Sequence, residues 1–160
     1  MNPCPCGYYT HPTKACQCST TKIHSYMSKI SGPLMDRIDM HIEVPPVKYK
    51  ELSDQKDAEP SRMIKERVAR THNLQRERFK SEGIFYNSQM DTGLIKKYCL
   101  LEDAAQELLK MAMAELEFSA RAYNKILKVG RTIADLADSD MILAGHISEA
   151  IQYRSLDRSL

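Results

Sequence analysis

The chain has 160 residues, enough for one domain or for a small domain with an arm. Its 23 Lys plus Arg against 21 Asp plus Glu leave a net charge of +2, which does not by itself call for a nucleic-acid partner. No apolar stretch reaches transmembrane length and the N-terminus has no hydrophobic signal region, so a cytoplasmic protein with no membrane partner is expected. Trp is absent and Phe occurs only three times, while Met occurs nine times, a balance that suits helices better than a β-sandwich.

The first 18 residues contain three prolines and a glycine, which rule out regular structure for most of the segment. Four of the five cysteines lie here as two C-x-C pairs, Cys4/Cys6 and Cys16/Cys18, joined by a nine-residue loop that includes His11. Cytosolic thiols stay reduced, which argues against a disulfide. Two readings stay open. Four thiolates on a loop with no other means of folding could close a tetrahedral zinc site, with His11 in reserve, or the arm carries four reduced thiols.

Ser19 is placed to cap a helix running to Ile30, which Ser31-Gly32-Pro33 ends. The alternation Met40-His41-Ile42-Glu43-Val44 predicts a short strand, stopped by Pro45-Pro46. Between them Arg37, flanked by Asp36 and Asp39, reads locally as a salt-bridge partner. Polar residues 53–60 predict a linker. Pro60-Ser61 then opens a long helix to about Lys80, with Ile64, Val68, Thr71 or His72, Gln75 and Phe79 inward. Arg62, Lys65, Arg67, Arg70, Arg76, Arg78 and Lys80 are expected on its outer face. A basic face of this kind is more often solvated helix than nucleic-acid track.

Asp91 predicts the cap of a short helix through Tyr98, and Cys99 reads as a buried small apolar residue. Residues 102–117 form an amphipathic pattern with Ala105, Leu108, Leu109, Ala112, Met113 and Leu116 inward. The stretch Ser119 to Ala137 is the most regular of all, with Tyr123, Ile126, Leu127, Gly130, Ile133 or Ala134, and Ala137 on one face and Ser119 as cap. Arg121 stands in its first turn, where the helix dipole disfavours a cation. It answers either to an anion such as phosphate or, as the helix alone favours, to Glu115 or Glu117. A last helix is expected over Ala144 to Arg154, completing a bundle of about four helices.

Three separated stretches, N-P-C-P-C-G at Asn2–Gly7 with Cys16-x-Cys18, S-G-P-L-M-D-R-I-D at Ser31–Asp39, and S-A-R-A-Y-N-K-I-L-K-V-G-R-T-I-A-D-L at Ser119–Leu136, resemble the magnesium-chelatase-like AAA+ ATPases. Within them the match is best to the competence-protein ComM (YifB) group, which E-A-I-Q-Y-R-S-L-D-R at Glu149–Arg158 also fits. The resemblance implies a mainly α chain: a C-terminal helical lid over 61–160, preceded by a linker and by a remnant of the AAA+ core over 1–52 that carries the Cys-rich arm, one helix and one short strand. It implies sensor 1 at Asn2, an arginine finger at Arg37 offered to a neighbouring subunit, and sensor 2 at Arg121 toward the γ-phosphate. Such groups would stabilise charge on a transferring phosphoryl group.

The sequence departs from the family in having no G-x-x-x-x-G-K-[ST] and no acidic Walker B strand before Asn2. It therefore reads as the C-terminal part of a longer protein, with Met1 an internal methionine, and as inactive alone. Gly130 stands where the family usually has alanine. The implied cofactors are ATP and Mg²⁺ in the full-length parent; Zn²⁺ on the cysteines stays one of the two open readings of the arm. The implied partners are the missing AAA+ core, further copies in a hexameric ring, and DNA undergoing remodelling or branch migration. The alternative is a stand-alone zinc-dependent nucleic-acid-binding helical module; metal insertion of the chelatase type ranks last, because the Cys-rich loop does not belong to that motor subunit.

Overall fold

The computed structural model describes residues 1–45, 47 and 58–154, and among these it is helical. Among the described residues there are seven α-helices: α1 (Thr20–Met27), α2 (Gly32–Met35), α3 (Ser61–Arg78), α4 (Thr92–Tyr98), α5 (Asp103–Glu115), α6 (Ala120–Leu136) and α7 (Ala144–Gln152). A 3₁₀ turn covers Asn87–Gln89. Their starts follow the capping chemistry of the sequence. Ser19, Ser31, Asp91 and Ser119 each accept a backbone N–H from their own first turn, at 3.3, 3.4, 2.8 and 3.1 Å respectively.

α6 is the centre. It packs against α7, α3, α4 and the 3₁₀ turn, while α5 packs on α7. Ile126, Leu127 and Ala134 of α6 meet Ile147 and Ala150 of α7, Ala105 and Leu109 of α5, and Phe79 at the end of α3 in one buried cluster. Gly130 faces α7 so closely that a Cβ there would lie 3.2 Å from Ile147 Cδ1 and 3.4 Å from Ile142 Cγ2. A parallel bridge between Leu101 and Ile142 joins the entries of α5 and α7, with Ile142 N–H donating to Leu100 O at 2.8 Å. Cys99 is buried as expected, and burial pushes its thiol up to about 11.

Several expectations need correction. Met40–Val44 is not a strand, because no neighbouring strand exists among the described residues; instead the His41 N–H donates to Tyr153 O at 2.7 Å. The first helix ends at Met27 rather than Ile30 and buries no residue. On α3 only Thr71 and Gln75 are buried, whereas Ile64 and Val68 are 42% and 40% exposed. The N-terminal half of α3 therefore outruns the bundle. The linker expected at 53–60 lies outside the described residues as far as residue 57, as does the family match beyond Arg154.

Candidate functional site

The four arm cysteines converge. Their Sγ atoms all lie within 4.8 Å of one another, with Cys4–Cys6 at 3.3 Å, Cys6–Cys16 at 3.6 Å and Cys4–Cys16 at 3.7 Å. These separations exceed an S–S bond of about 2.05 Å. They approach the edge of about 3.8 Å that follows from four sulfurs at about 2.3 Å around tetrahedral zinc. The turn is built locally: Gly7 N–H donates to Cys4 O at 3.0 Å, and Gly7 takes φ +80°, a conformation that favours glycine. Backbone N–H groups also point at sulfur, Tyr9 to Cys4 at 3.3 Å and Cys18 to Cys16 at 3.4 Å.

The thiols sense one another. N–H groups of Tyr8 and Gln17 pull Cys6 down to about 6. The Cys18 N–H pulls Cys16 the same way, but desolvation and the neighbouring thiols outweigh it and push Cys16 up to about 12. Four sulfurs this close resist ionising together, and a divalent cation is the charge that would let them do so. The donor set therefore fits zinc. His11, the reserve ligand, is outside the cluster; its Nδ1 accepts the N–H groups of Thr13 at 3.2 Å and Lys14 at 3.1 Å.

Arg121 is joined through one carboxylate to the turn that carries Arg37. Asp36, in the turn after α2, accepts Arg121 Nη1 at 2.5 Å and Ser119 Oγ at 2.9 Å. The anion at the start of α6 is thus Asp36, not Glu115 or Glu117. Arg121 holds the Asp36 carboxyl below the usual carboxylate range, with help from Ser119. Arg37 next to it is exposed and donates through Nη1 to Pro33 O at 3.1 Å. Asn2 is exposed beside the Cys4–Gly7 turn, and no hydrogen bond joins it to either arginine among the described residues.

Sequence reasoning missed a buried polar network in the bundle. Asp135 accepts Arg78 Nη1 and Nη2 at 2.7 and 2.5 Å, Arg131 Nε at 2.9 Å, Asn87 Nδ2 at 2.8 Å and Gln75 Nε2 at 3.4 Å. Arg131 spends its remaining donors on the carbonyls of Asp140 and Ser139. Arg78 had been expected on the outer face of α3, and it points inward. The available signal was the i,i+4 spacing of Arg131 and Asp135. The outer cations are largely neutralised: Arg62 pairs with Glu66, Arg67 with Glu59, Arg70 with Asp138 and Lys80 with Glu77. Among the described residues no helix is long and apolar enough to cross a membrane.

Residues 58–154 match the family described as "Magnesium chelatase, subunit ChlI C-terminal", and residues 1–52 match "Magnesium chelatase, subunit ChlI". The chain is 37% identical to the competence protein ComM of Haemophilus influenzae over 161 aligned residues, which cover all of this chain and 30% of the relative. It is 35% identical to the YifB proteins of Salmonella typhimurium and Escherichia coli, again over its full length and 31% of theirs. The chain thus spans about a third of the length of these relatives. The two family matches, end to end, cover both the cysteine arm and the helical bundle, and this chain belongs to the magnesium-chelatase-like AAA+ ATPases, corresponding to the C-terminal part of their ComM and YifB members.

Proposed function

We propose that this chain supplies the nucleotide-sensing lid and finger elements of a ring-forming ATPase that couples hydrolysis to DNA remodelling, in keeping with the competence function in the name of one relative. In this reading Arg121 senses the γ-phosphate, Arg37 is offered to the nucleotide of the neighbouring subunit, and Asn2 orients the attacking water. ATP and Mg²⁺ would be held by the part of the protein outside these residues, since the chain has no Walker A sequence. The observation that carries the reading is the Asp36 carboxylate at the start of α6, gripped by Arg121 and Ser119. It supports a site built to hold anionic oxygen beside an exposed second arginine.

The cysteine cluster adds a structural zinc in the same reading. Cys4, Cys6, Cys16 and Cys18 would be the ligands, and a four-thiolate centre is closed, so the metal folds the arm rather than activating water. The alternative of a stand-alone nucleic-acid-binding module loses support from α3, because most of its outer cations face carboxylates.

The test is an ATPase assay on two samples. The 160-residue chain alone is expected to show none. The full-length protein is expected to lose about 10³-fold or more in kcat with Arg37→Ala, the scale of an arginine finger. Full activity in either variant, Arg37→Ala or Arg121→Ala, refutes the assignment of that arginine.

A further inference from the structure

The turn that bears Arg37 is fastened to the bundle by an unusually complete set of polar contacts. Lys125 Nζ donates to the backbone carbonyl of Arg37 at 2.5 Å and pairs with the Asp39 carboxylate. Asp36 is held from the same helix by Arg121, one turn earlier. Arg154, at the end of α7, donates to Ile38 O, and Tyr153 O accepts the His41 N–H at 2.7 Å. Every residue from 36 to 39 thus receives, on its backbone or carboxylate, a side chain from α6 or from Arg154 just past α7.

Lys125 is the informative member. Its side chain is only 13% exposed although it ends in an ammonium, whereas the Asp39 carboxylate that it pairs with is 62% exposed. An ammonium so largely covered must find acceptors, and its two are the Asp39 carboxylate and the Arg37 backbone carbonyl. The bond to the carbonyl fixes the backbone of Arg37 while leaving its guanidinium exposed. Arg121 uses one nitrogen, Nη1, on Asp36, so its Nε and Nη2 remain available to a second anion. Arg121 can therefore hold Asp36 and a phosphate at once, and the link to the Arg37 turn survives nucleotide loading.

We infer that Lys125 is the positioning residue of Arg37, and that Lys125 and the Arg121–Asp36 pair join the two arginines into one unit borne by α6. A shift of α6 on loading phosphate at Arg121 then reaches the neighbouring subunit through Arg37 without a flexible joint. The inference rests on the reading above, in which both arginines serve nucleotide, and it adds the residue that couples them.

The experiment uses the full-length, assembled protein and compares steady-state ATPase of Lys125→Met, Lys125→Arg and Asp39→Asn with wild type. Lys125→Met keeps the stem and removes the donor. It should lower kcat about 10-fold or more, because a small misplacement of a catalytic group costs on that order, while KM stays within about 2-fold. Lys125→Arg should recover most of the loss. Asp39→Asn, a surface change that does not threaten folding, should lower kcat in the same direction by about 3-fold.

A merely structural lysine would reduce thermal stability without separating kcat from KM and without rescue by arginine, and that result overturns the inference. Wild-type kcat in both Lys125→Met and Asp39→Asn, with Arg37→Ala still crippled, also overturns it and leaves the proposed function standing. Wild-type kcat in Arg37→Ala removes the reading on which it rests.

Discussion

Replacing Asp135 by asparagine tests the buried network without changing its shape. The Asp135 side chain has no exposed surface, Arg131 is 2% exposed and Arg78 is 15% exposed, so one carboxylate serves two desolvated guanidiniums. Both of its oxygens face donors: Oδ1 takes Arg78 Nη2 and Arg131 Nε, and Oδ2 takes Arg78 Nη1, Asn87 and Gln75. Whichever oxygen becomes an amide NH₂ therefore meets N–H groups head on. The charge is lost as well, and removing one partner of a buried pair costs about 3–5 kcal/mol. Arg131 retains the carbonyls of Asp140 and Ser139, and Arg78 retains Asn87 Oδ1, which keeps the loss from growing further. For a domain near 100 residues this is a Tm drop of about 12–40 °C, a large share of a total stability of about 5–15 kcal/mol. Urea unfolding of the chain followed by far-UV circular dichroism measures it. The exposed pair Arg62–Glu66 is the control, where Arg62→Ala should cost under about 0.5 kcal/mol. A loss below about 1 kcal/mol for Asp135→Asn would refute the reasoning.

Gly130→Ala should destabilise by about 1 kcal/mol: the helix-propensity gain is outweighed by crowding against Ile147 Cδ1 at 3.2 Å, and Ile147→Val in the same chain should restore the loss, as a double-mutant cycle in urea would show. Asp36 titrates below its unfolded value because Arg121 favours the carboxylate, so its contribution is present above the unfolded pKa and disappears as pH falls through the folded one. In Arg121→Gln its carboxyl ¹³C titration should move back up toward the ordinary range, and an unmoved midpoint would count against the pair. Protein purified without added zinc or chelator should carry about one zinc per chain by elemental analysis, and Cys4→Ser should lose it while the helical signal of the bundle stays nearly constant. A metal-free protein with four titratable arm thiols returns the cluster to reduced cysteines.

What the sequence made legible was local. Ser119 and Asp91 cap their helices because a side-chain oxygen three residues before an orphan N–H is a short-range fact. The four cysteines were readable as a cluster because loop length and thiol chemistry limit the alternatives. The partner of Arg121 was not readable: Asp36 lies 85 positions earlier in the chain, and nearer glutamates competed in any local account. Periodicity also overestimated the buried face of α3. It identifies which residues could face inward, not how far along the helix another element reaches, so Ile64 and Val68 remain exposed while Phe79 is 1% exposed. Counting the cations of α3 as outward concealed Arg78, and Arg131 was given no role at all. Alternation at Met40–Val44 predicted a strand that needs a neighbour, and that information lies elsewhere in the chain.

The two charge sites on α6 differ in a way that matters for how the helix can work. At its start, the Arg121–Asp36 pair is exposed, 56% and 28% for the two side chains, and such pairs contribute about 0–1 kcal/mol. At its far half, Arg131 and Asp135 are sealed from solvent and fastened to α3 and the 3₁₀ turn. Ten residues separate Arg121 from Arg131, about 15 Å of helix. A helix anchored strongly at one end and weakly at the other can respond to a ligand at the weak end at small cost, because the exposed turn held by Arg121 and Lys125 moves with it. Substitutions should separate accordingly: in the proposed reading Arg121→Gln changes nucleotide turnover with little effect on unfolding, whereas Asp135→Asn changes unfolding first. The reverse pattern would mean that the anchored and adjustable ends of α6 have been assigned the wrong way round.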